Sequence, residues 1–192
     1  METAQAADSE TILPRISIDH NALSDLDTAL KKEWLVTNGL GGYASSSVLG
    51  INTRKYHGLL VAAFNPPVDR RVLLSRLKEE IVLGNRAYSF GANECEMGIK
   101  LEGCKYLSEF SLDPLPAFTY VADERFRLKK TLFMPFGKNA TVITYEASNT
   151  SKDTALIRIA SYVNSRHFHT VTERNVPFGF VLKAFDKGVA VQ

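Results

Sequence analysis

The side chains best suited to recognition chemistry lie in one stretch of the chain, residues 33–64. This stretch holds the only tryptophan, Trp34, and five of the twelve glycines. Its remaining polar and aromatic candidates are Asn38, Tyr43, Asn52, Arg54, Tyr56 and His57. We therefore expect the working surface of the protein to be here.

The run Arg54-Lys55-Tyr56-His57 combines three groups that recognise sugars. In an extended segment, Arg54 and Tyr56 point to one side, whereas Lys55 and His57 point to the other. A guanidinium, a phenol and an imidazole can hydrogen-bond sugar hydroxyls, and an aromatic ring can stack on the apolar face of the sugar. The alternative is structural, with Arg54 and Tyr56 fastening a loop to its scaffold.

A second cluster, Arg166-His167-Phe168-His169, places two imidazoles at i and i+2. Residues at this spacing share one face of a strand, where they could bind a metal ion. No third ligand follows nearby in the sequence, so we predict no metal site and no cofactor. Arg166 and His169 remain candidates for a ligand-binding or interface role.

Paired acidic residues could instead indicate a glycosidase, which needs two carboxylates about 5 to 10 Å apart. The pairs are Glu79 with Glu80, Glu94 with Glu96, and Asp123 with Glu124. Lysines and arginines surround each pair, a pattern typical of solvated surface charge. We predict no catalytic residue in this chain.

The sequence Gly39-Leu40-Gly41-Gly42-Tyr43-Ala44 fits the pattern of a dinucleotide-binding loop. The residues that should continue as a helix, 45–50, are poor helix formers, and no acidic residue lies about 20 positions further on. The glycines instead predict a tight turn that lets the backbone pass close to another surface.

Composition excludes several classes of protein. The net charge of +2 comes from mixed acidic and basic residues, so nucleic acid is not an expected partner. No apolar run approaches the length of a membrane span, and residues 1–10 are too polar and acidic for a secretory signal. Cys95 and Cys104 are expected to be reduced thiols. These features predict a cytoplasmic location without membrane association.

Periodicity predicts an all-β protein, a large antiparallel β-sandwich, with a closed barrel as the alternative. Residues 117–134 and 141–147 alternate cleanly, and Gly84-Asn85 fits a tight hairpin turn. Residues 71–77 and 79–83 are predicted as separate strands. The one predicted helix covers residues 19–32, capped by Ser24 or Asp25.

The predicted domain organisation is a disordered tail over residues 1–11 followed by one β-sandwich domain over residues 12–192. Residues 180–185 and 189–191 are predicted to pair as a hairpin, and the sequence stops within it. We therefore expect the chain to be a fragment of a longer protein.

Two long segments carry a resemblance to a known family. Residues 33–45, with sequence EWLVTNGLGGYAS, and residues 52–67, which begin NTRKYHGLLVA, closely resemble the N-terminal domain of archaeal and bacterial glycogen debranching enzymes. Residues 72–80 and 145–150 add to the similarity. The resemblance covers most of the chain from residue 33 to about residue 180.

The resemblance implies a β-sandwich that precedes an (α/α)6 catalytic domain with amylo-α-1,6-glucosidase activity toward glycogen. That helical domain is absent from this sequence, so its acid and base carboxylates are expected beyond Gln192. The family usually has an aspartate where this chain has His167. This difference argues against a carboxylate function at that position.

Three functions follow as hypotheses. The first is a noncatalytic accessory domain that docks residues 34–58 against the helical domain and contacts glucan there. The second is an independent carbohydrate-binding module with Trp34, Tyr43 and Tyr56 as stacking platforms. The third is a self-contained sandwich enzyme, such as a sugar epimerase, with His57 or His169 as general base.

Overall fold

The computed structural model of the chain describes residues 15–95, 98–100, 102–172 and 179–192, without the side chains of residues 93–100. The predicted tail over residues 1–11 lies outside the described residues. In chain order the strands are β1 (Ile16–Asp19), β2 (Glu33–Thr37), β3 (Tyr43–Ser47), β4 (Gly58–Asn65), β5 (Val68–Leu83), β6 (Arg86–Ser89), β7 (Asn93–Cys95), β8 (Gly98–Lys100), β9 (Leu107–Leu112), β10 (Pro116–Ala122), β11 (Phe126–Phe133), β12 (Val142–Asn149), β13 (Ala155–His167), β14 (Leu182–Phe185) and β15 (Gly188–Val191).

Two antiparallel sheets account for most of these strands. One has five strands in the order β1-β9-β10-β11-β12. The other has the order β13-β5-β4-β3-β2, with β6 pairing the second half of β5. The pairs β7-β8 and β14-β15 form separate two-stranded sheets. The predicted all-β antiparallel class is confirmed.

Strand β11 shows why the chain folds into layers. Phe126, Leu128 and Leu132 are buried and alternate with exposed Arg127 and Lys129, as the alternation of the sequence predicts. One face of the strand therefore packs into the core while the other meets solvent. The hairpin at Gly84-Asn85 is also confirmed, with Leu83 opposite Arg86 and Gly84 at φ +57.

The N-terminal helix differs from its prediction. Two short helices, α1 (His20–Ser24) and α2 (Leu26–Ala29), replace the single predicted helix. The Asp19 side chain accepts a hydrogen bond from the Ala22 N–H, and Asp25 accepts one from the Thr28 N–H. A second N-cap at Asp25 ends α1 and starts α2, because an N-cap residue leaves the helical conformation. A short 3₁₀ helix covers Cys104–Tyr106.

Strand β5 is longer than predicted. The two strands predicted over residues 71–77 and 79–83 are one strand of 16 residues. Its first half pairs with β4, its second half pairs with β6, and β13 runs along its other side. Strand β5 therefore pairs directly with three other strands of its sheet.

The core lies between the two sheets and is rich in aromatic contacts. Trp34 meets Phe118 edge-to-face at 6.0 Å between ring centroids, and Phe90 stacks on Tyr120 at 4.9 Å. Trp34 lies on β2 and Phe90 directly follows β6, whereas Phe118 and Tyr120 lie on β10 of the other sheet. These pairs therefore hold the two layers together.

Candidate functional site

Trp34 belongs to the core and not to an exposed surface. Its side chain is 3% exposed, and its indole Nε1 donates a hydrogen bond to the Ser47 carbonyl at 3.2 Å. A ring in this position has no free face for a sugar. The prediction of Trp34 as a stacking platform is wrong, because the alternation of β2 turns its side chain toward the opposite sheet.

Asn38 is fully buried and organises the glycine turn, residues 38–42. Its Oδ1 accepts hydrogen bonds from the backbone N–H groups of Leu40, at 2.9 Å, and Gly42, at 3.0 Å. Its Nδ2 donates to the Lys138 carbonyl and to Asn139 Oδ1, both at 3.0 Å. A group that makes four internal hydrogen bonds is a structural clamp and is not free to bind a ligand.

The glycines of this turn allow close packing against two other turns. A Cβ on Gly39 would lie 2.3 Å from Cε2 of Phe136, and a Cβ on Gly41 would lie 2.7 Å from the Pro67 carbonyl oxygen. Both glycines also have positive φ, +76 and +92. The prediction that the glycines allow a close backbone approach is confirmed.

The other half of the stretch forms a second structure, which we call the rim: residues 52–58 together with residues 166–172. Arg166 joins the two segments, since its guanidinium donates to the backbone carbonyls of Lys55 and Thr170. Burial lowers the pKa of Arg166 below its usual value. The guanidinium therefore acts mainly as an internal connector of the rim.

Two tyrosines reinforce the same connection. The Tyr43 hydroxyl donates to the Tyr56 carbonyl at 2.8 Å, and the Tyr56 hydroxyl lies 3.2 Å from Nδ1 of His169. Burial raises the pKa of the Tyr43 phenol. The Tyr56 ring is 37% exposed and is flanked by Phe168 and His169, each 5.6 Å away between centroids.

His57 is a buried side chain of the rim. It is 3% exposed, and its Nδ1 accepts a hydrogen bond from the Thr53 N–H at 3.1 Å. Its Nε2 lies 3.3 Å from Glu33 Oε1, which also pairs with the Arg54 guanidinium. Burial, opposed by the Glu33 carboxylate, lowers the pKa of His57. A neutral imidazole with both nitrogens turned inward has no exposed atom for general-base chemistry.

His167 and His169 lie side by side with their ring centroids 5.4 Å apart. Nδ1 of His167 accepts from the His169 N–H, and His169 meets the Tyr56 hydroxyl. In the described part of the chain, no group of three or more His, Cys, Asp or Glu side chains is arranged to hold a metal ion.

An open depression of about 530 Å³ lies along the rim. Asn52 borders it, and its Nδ2 donates to the Ser75 carbonyl at 2.8 Å. The cations at its border are Arg54, Lys55 and Arg166. Arg54 and Lys55 are exposed. Donors of this kind suit hydroxyl or carboxylate oxygens.

Three of the acidic residues considered in the sequence, Glu79, Glu80 and Asp123, are paired with cations. The side chains of Glu94 and Glu96 lie outside the described residues. Glu79 is 2% exposed, and its Oε1 accepts from Lys130 Nζ and from the Tyr145 hydroxyl, both at 2.7 Å. The prediction of Glu79 as a solvated surface charge is therefore wrong. Glu80 pairs with Arg158 at 3.0 Å at the surface. Burial and the Glu79 carboxylate raise the pKa of Tyr145.

Of the predicted site residues, the structure brings most together at the rim and separates two from it. Tyr43, Asn52, Arg54, Tyr56, His57, Arg166 and His169 lie in or directly against the rim. Trp34 lies in the core and Asn38 in the glycine turn. Arg70 connects turn and rim, because its Nε donates to the Gly41 carbonyl at 2.7 Å and its guanidinium lies 5.4 Å from the Phe168 ring centroid.

The sequence profile of the family described as glycogen debranching enzyme N terminal matches residues 32–191. The chain belongs to this family. The match covers most of the chain and includes the glycine turn and the rim, so the resemblance in the sequence is confirmed. No curated protein and no solved structure matches the chain significantly.

Sequence reasoning placed one residue of this debranching-enzyme N-terminal domain wrongly and missed another. Glu79 is the acidic member of a buried cluster, and its spacing of two and four residues from Ile81 and Leu83 was the available signal for an inward-facing side chain. Phe136 is 87% exposed and rests on Gly39. An aromatic residue between Pro135 and Gly137, directly after a strand, was the available signal for an exposed turn.

Neither of the α-helices in the described part of the chain, five and four residues in length, could reach across a bilayer.

Proposed function

We propose that this chain is the noncatalytic N-terminal domain of a glycogen debranching enzyme. In this proposal, a separate helical domain hydrolyses the α-1,6 branch-point linkages of glycogen or a related α-glucan. The N-terminal domain docks against that catalytic domain, with its rim near the mouth of the active site. It acts in the cytoplasm and needs no cofactor.

The observation that carries the proposal is the family match over residues 32–191. The state of three acidic side chains considered in the sequence agrees with a noncatalytic role. Glu79 is held by Lys130 and Tyr145 in the core, Glu80 pairs with Arg158, and Asp123 pairs with Arg125. A glycosidase needs one carboxyl group free to donate a proton and another free to act as base or nucleophile.

The rim supports a role beside the substrate. Arg54 and Lys55 are exposed at the edge of a depression, and Tyr56 is exposed beside them in the sequence. Because Arg166 and Tyr43 fix the loop backbone, these side chains project from a rigid base. A rigid set of donors loses little entropy when it contacts a partner or a glucan hydroxyl.

The first test measures glucose release from phosphorylase-limit dextrin. The purified chain alone should release no glucose. The helical catalytic domain, produced as a separate polypeptide, should turn over the dextrin faster when the chain is added. Release of glucose by the chain alone would refute a noncatalytic role.

The second test asks whether the rim is the contributing surface. Arg54→Ala and Tyr56→Ala should each lower the stimulated kcat/KM by about tenfold, the loss expected for one good contact. Leu156→Ala on β13, an exposed apolar side chain away from the rim, is the matched control and should have no effect. Full stimulation by both rim variants would remove the rim from the proposal.

A further inference from the structure

The side chain of Phe136 is almost fully exposed to solvent. Its exposed fraction, 87%, is the largest among the large apolar side chains that the structure describes. It lies in the turn at residues 135–138, directly after β11, where the Lys138 N–H donates to the Pro135 carbonyl. An exposed aromatic ring has an unfavourable contact with water, which burial in a partner would relieve.

The base beneath this ring is rigid. The Gly137 N–H donates to the Asn38 carbonyl at 2.7 Å, and Asn38 Nδ2 donates to the Lys138 carbonyl at 3.0 Å. Asn139 continues the network by exchanging two hydrogen bonds with the backbone of Ala63. The ring edge itself lies against the bare Cα of Gly39. The Phe136 turn is therefore fixed to β4 and to the glycine turn before any partner binds.

Three turns meet at this end of the sandwich and supply apolar neighbours. The glycine turn contacts the Phe136 turn through Gly39 and the turn between β4 and β5 through Gly41 and Pro67. Pro67 and Val68 are exposed, and Leu40 is half-buried. A rigid aromatic residue with apolar neighbours is the usual centre of a protein–protein interface.

The charges around this end indicate the kind of partner. Residues 38–42, 65–71 and 135–139 contain three cations, Arg70, Arg71 and Lys138, and one acidic residue, Asp69. Asp69 lies 3.5 Å from the Arg71 guanidinium, so its charge is largely compensated. A complementary surface would have an apolar recess bordered by carboxylates.

Building on the proposed function, we infer that Phe136 is the anchor by which this domain docks onto the catalytic domain. It inserts into an apolar recess with an acidic border on that domain. The glycine turn is the platform that holds the anchor, and Arg70 connects this contact to the rim. Docking at Phe136 would thereby fix the position of the rim relative to the active site.

A binding titration of the chain against the separately produced catalytic domain tests the inference. Phe136→Ala should weaken the affinity by about 30-fold or more, as expected for an interface hot spot. Its melting temperature should stay near that of the parent, because the ring is exposed. Leu156→Ala should bind like the parent chain.

A pair of glycine variants separates ring position from backbone strain. Gly39→Ala places a methyl group 2.3 Å from the ring and should displace Phe136 and weaken binding. Gly50→Ala carries a similar positive φ, +73, but its methyl group would lie 3.9 Å from its nearest neighbour, Phe118. Gly50→Ala should therefore retain affinity.

The outcomes distinguish this inference from the proposed function. If the parent chain binds and Phe136→Ala binds equally well, docking stands and Phe136 is not the anchor. If the parent chain does not bind the catalytic domain, the docking function itself fails. Phe136-dependent retardation in a glycogen gel, or a Phe136-dependent dimer in light scattering, would assign the surface to glucan or to a second copy and overturn the inference.

Discussion

The glycine turn and the rim are neighbours in sequence, yet they use similar residues in opposite ways. In the turn, Asn38 directs every polar atom of its side chain inward, to Leu40, Gly42, Lys138 and Asn139. In the rim, the loop backbone is held by other residues, and the long side chains of Arg54 and Lys55 remain exposed. The polar side chain of the turn has a structural role, and the rim has exposed hydrogen-bond donors.

The difference shows that what holds the backbone determines what a polar side chain is free to do. Asn38 must satisfy the N–H groups of a turn that is packed against two others. At the rim, Arg166 and Tyr43 donate to backbone carbonyls, and the Arg54 and Lys55 side chains remain exposed, with Arg54 paired to Glu33. Four perturbations test this division, in order of decreasing expected effect.

Replacement of Trp34 in the core and of Tyr56 in the rim should give the largest difference in unfolding free energy. Trp34→Ala should cost about 4 kcal/mol of unfolding free energy, because it removes a buried ring and leaves a cavity. Tyr56→Ala should cost about 1 kcal/mol or less, because its ring is partly exposed. Urea denaturation followed by circular dichroism measures both, and equal losses would contradict the assignment of Trp34 to the core.

The two asparagines provide a second contrast. Asn38→Ala should cost about 3 kcal/mol, because the buried N–H groups of Leu40 and Gly42 lose their acceptor. Asn52→Ala removes one hydrogen bond, to the Ser75 carbonyl, and should cost about 1 kcal/mol. Chemical denaturation of both variants under the same conditions provides the comparison; an Asn38 variant as stable as the parent would reject the clamp.

The buried histidine of the rim predicts a pH dependence. Burial lowers the pKa of His57 in the folded state, so the unfolded chain binds its proton more readily. The contribution of His57 is therefore fully present above its unfolded pKa and is lost as the pH falls toward the folded value. The melting temperature should be lower at pH 5.5 than at pH 7.5.

His57→Asn is the control for this pH effect, because an asparagine oxygen can accept the Thr53 N–H without titrating. The drop between pH 7.5 and pH 5.5 should be smaller in this variant. An identical drop in parent and variant would assign the pH dependence to other groups.

The smallest expected effect concerns the exposed ion pair of the rim. Arg54→Ala should change the unfolding free energy by no more than about 0.5 kcal/mol, because the Arg54 side chain is 61% exposed and its pairing with Glu33 is screened by water. Thermal melting in low and high salt measures the change. A loss of unfolding free energy as large as that of Asn38→Ala would mean that Arg54 has a structural role as well.

The fold was predictable where local pattern and burial agree. The alternation of β11 and the Gly84-Asn85 hairpin follow from the two-residue period and from turn chemistry, both of which are local. The break between α1 and α2 was missed because Asp25 was considered only as the start of one helix. The continuity of β5 depends on pairing with β13, which lies more than seventy residues away in sequence.

The candidate site was predictable only in part, because it also depends on contacts between residues that are far apart in sequence. Residue type located Arg54, Tyr56 and His57 in one loop, but it did not reveal that His57 is buried beneath that loop. Whether Trp34 faces the core depends on the opposite sheet, through Phe118. The exposure of Phe136 depends on Asn38, which lies about a hundred residues earlier in the chain.

The buried Glu79–Lys130 pair bears on how the two layers align. Glu79 comes from β5 and Lys130 from β11, so the pair crosses from one sheet to the other. If one layer slid by two residues, an ammonium and a carboxylate would each face hydrocarbon without a counterion, which costs several kcal/mol per charge. The pair therefore disfavours alignments of the two sheets in which the two charges lose contact, whatever its net contribution to stability.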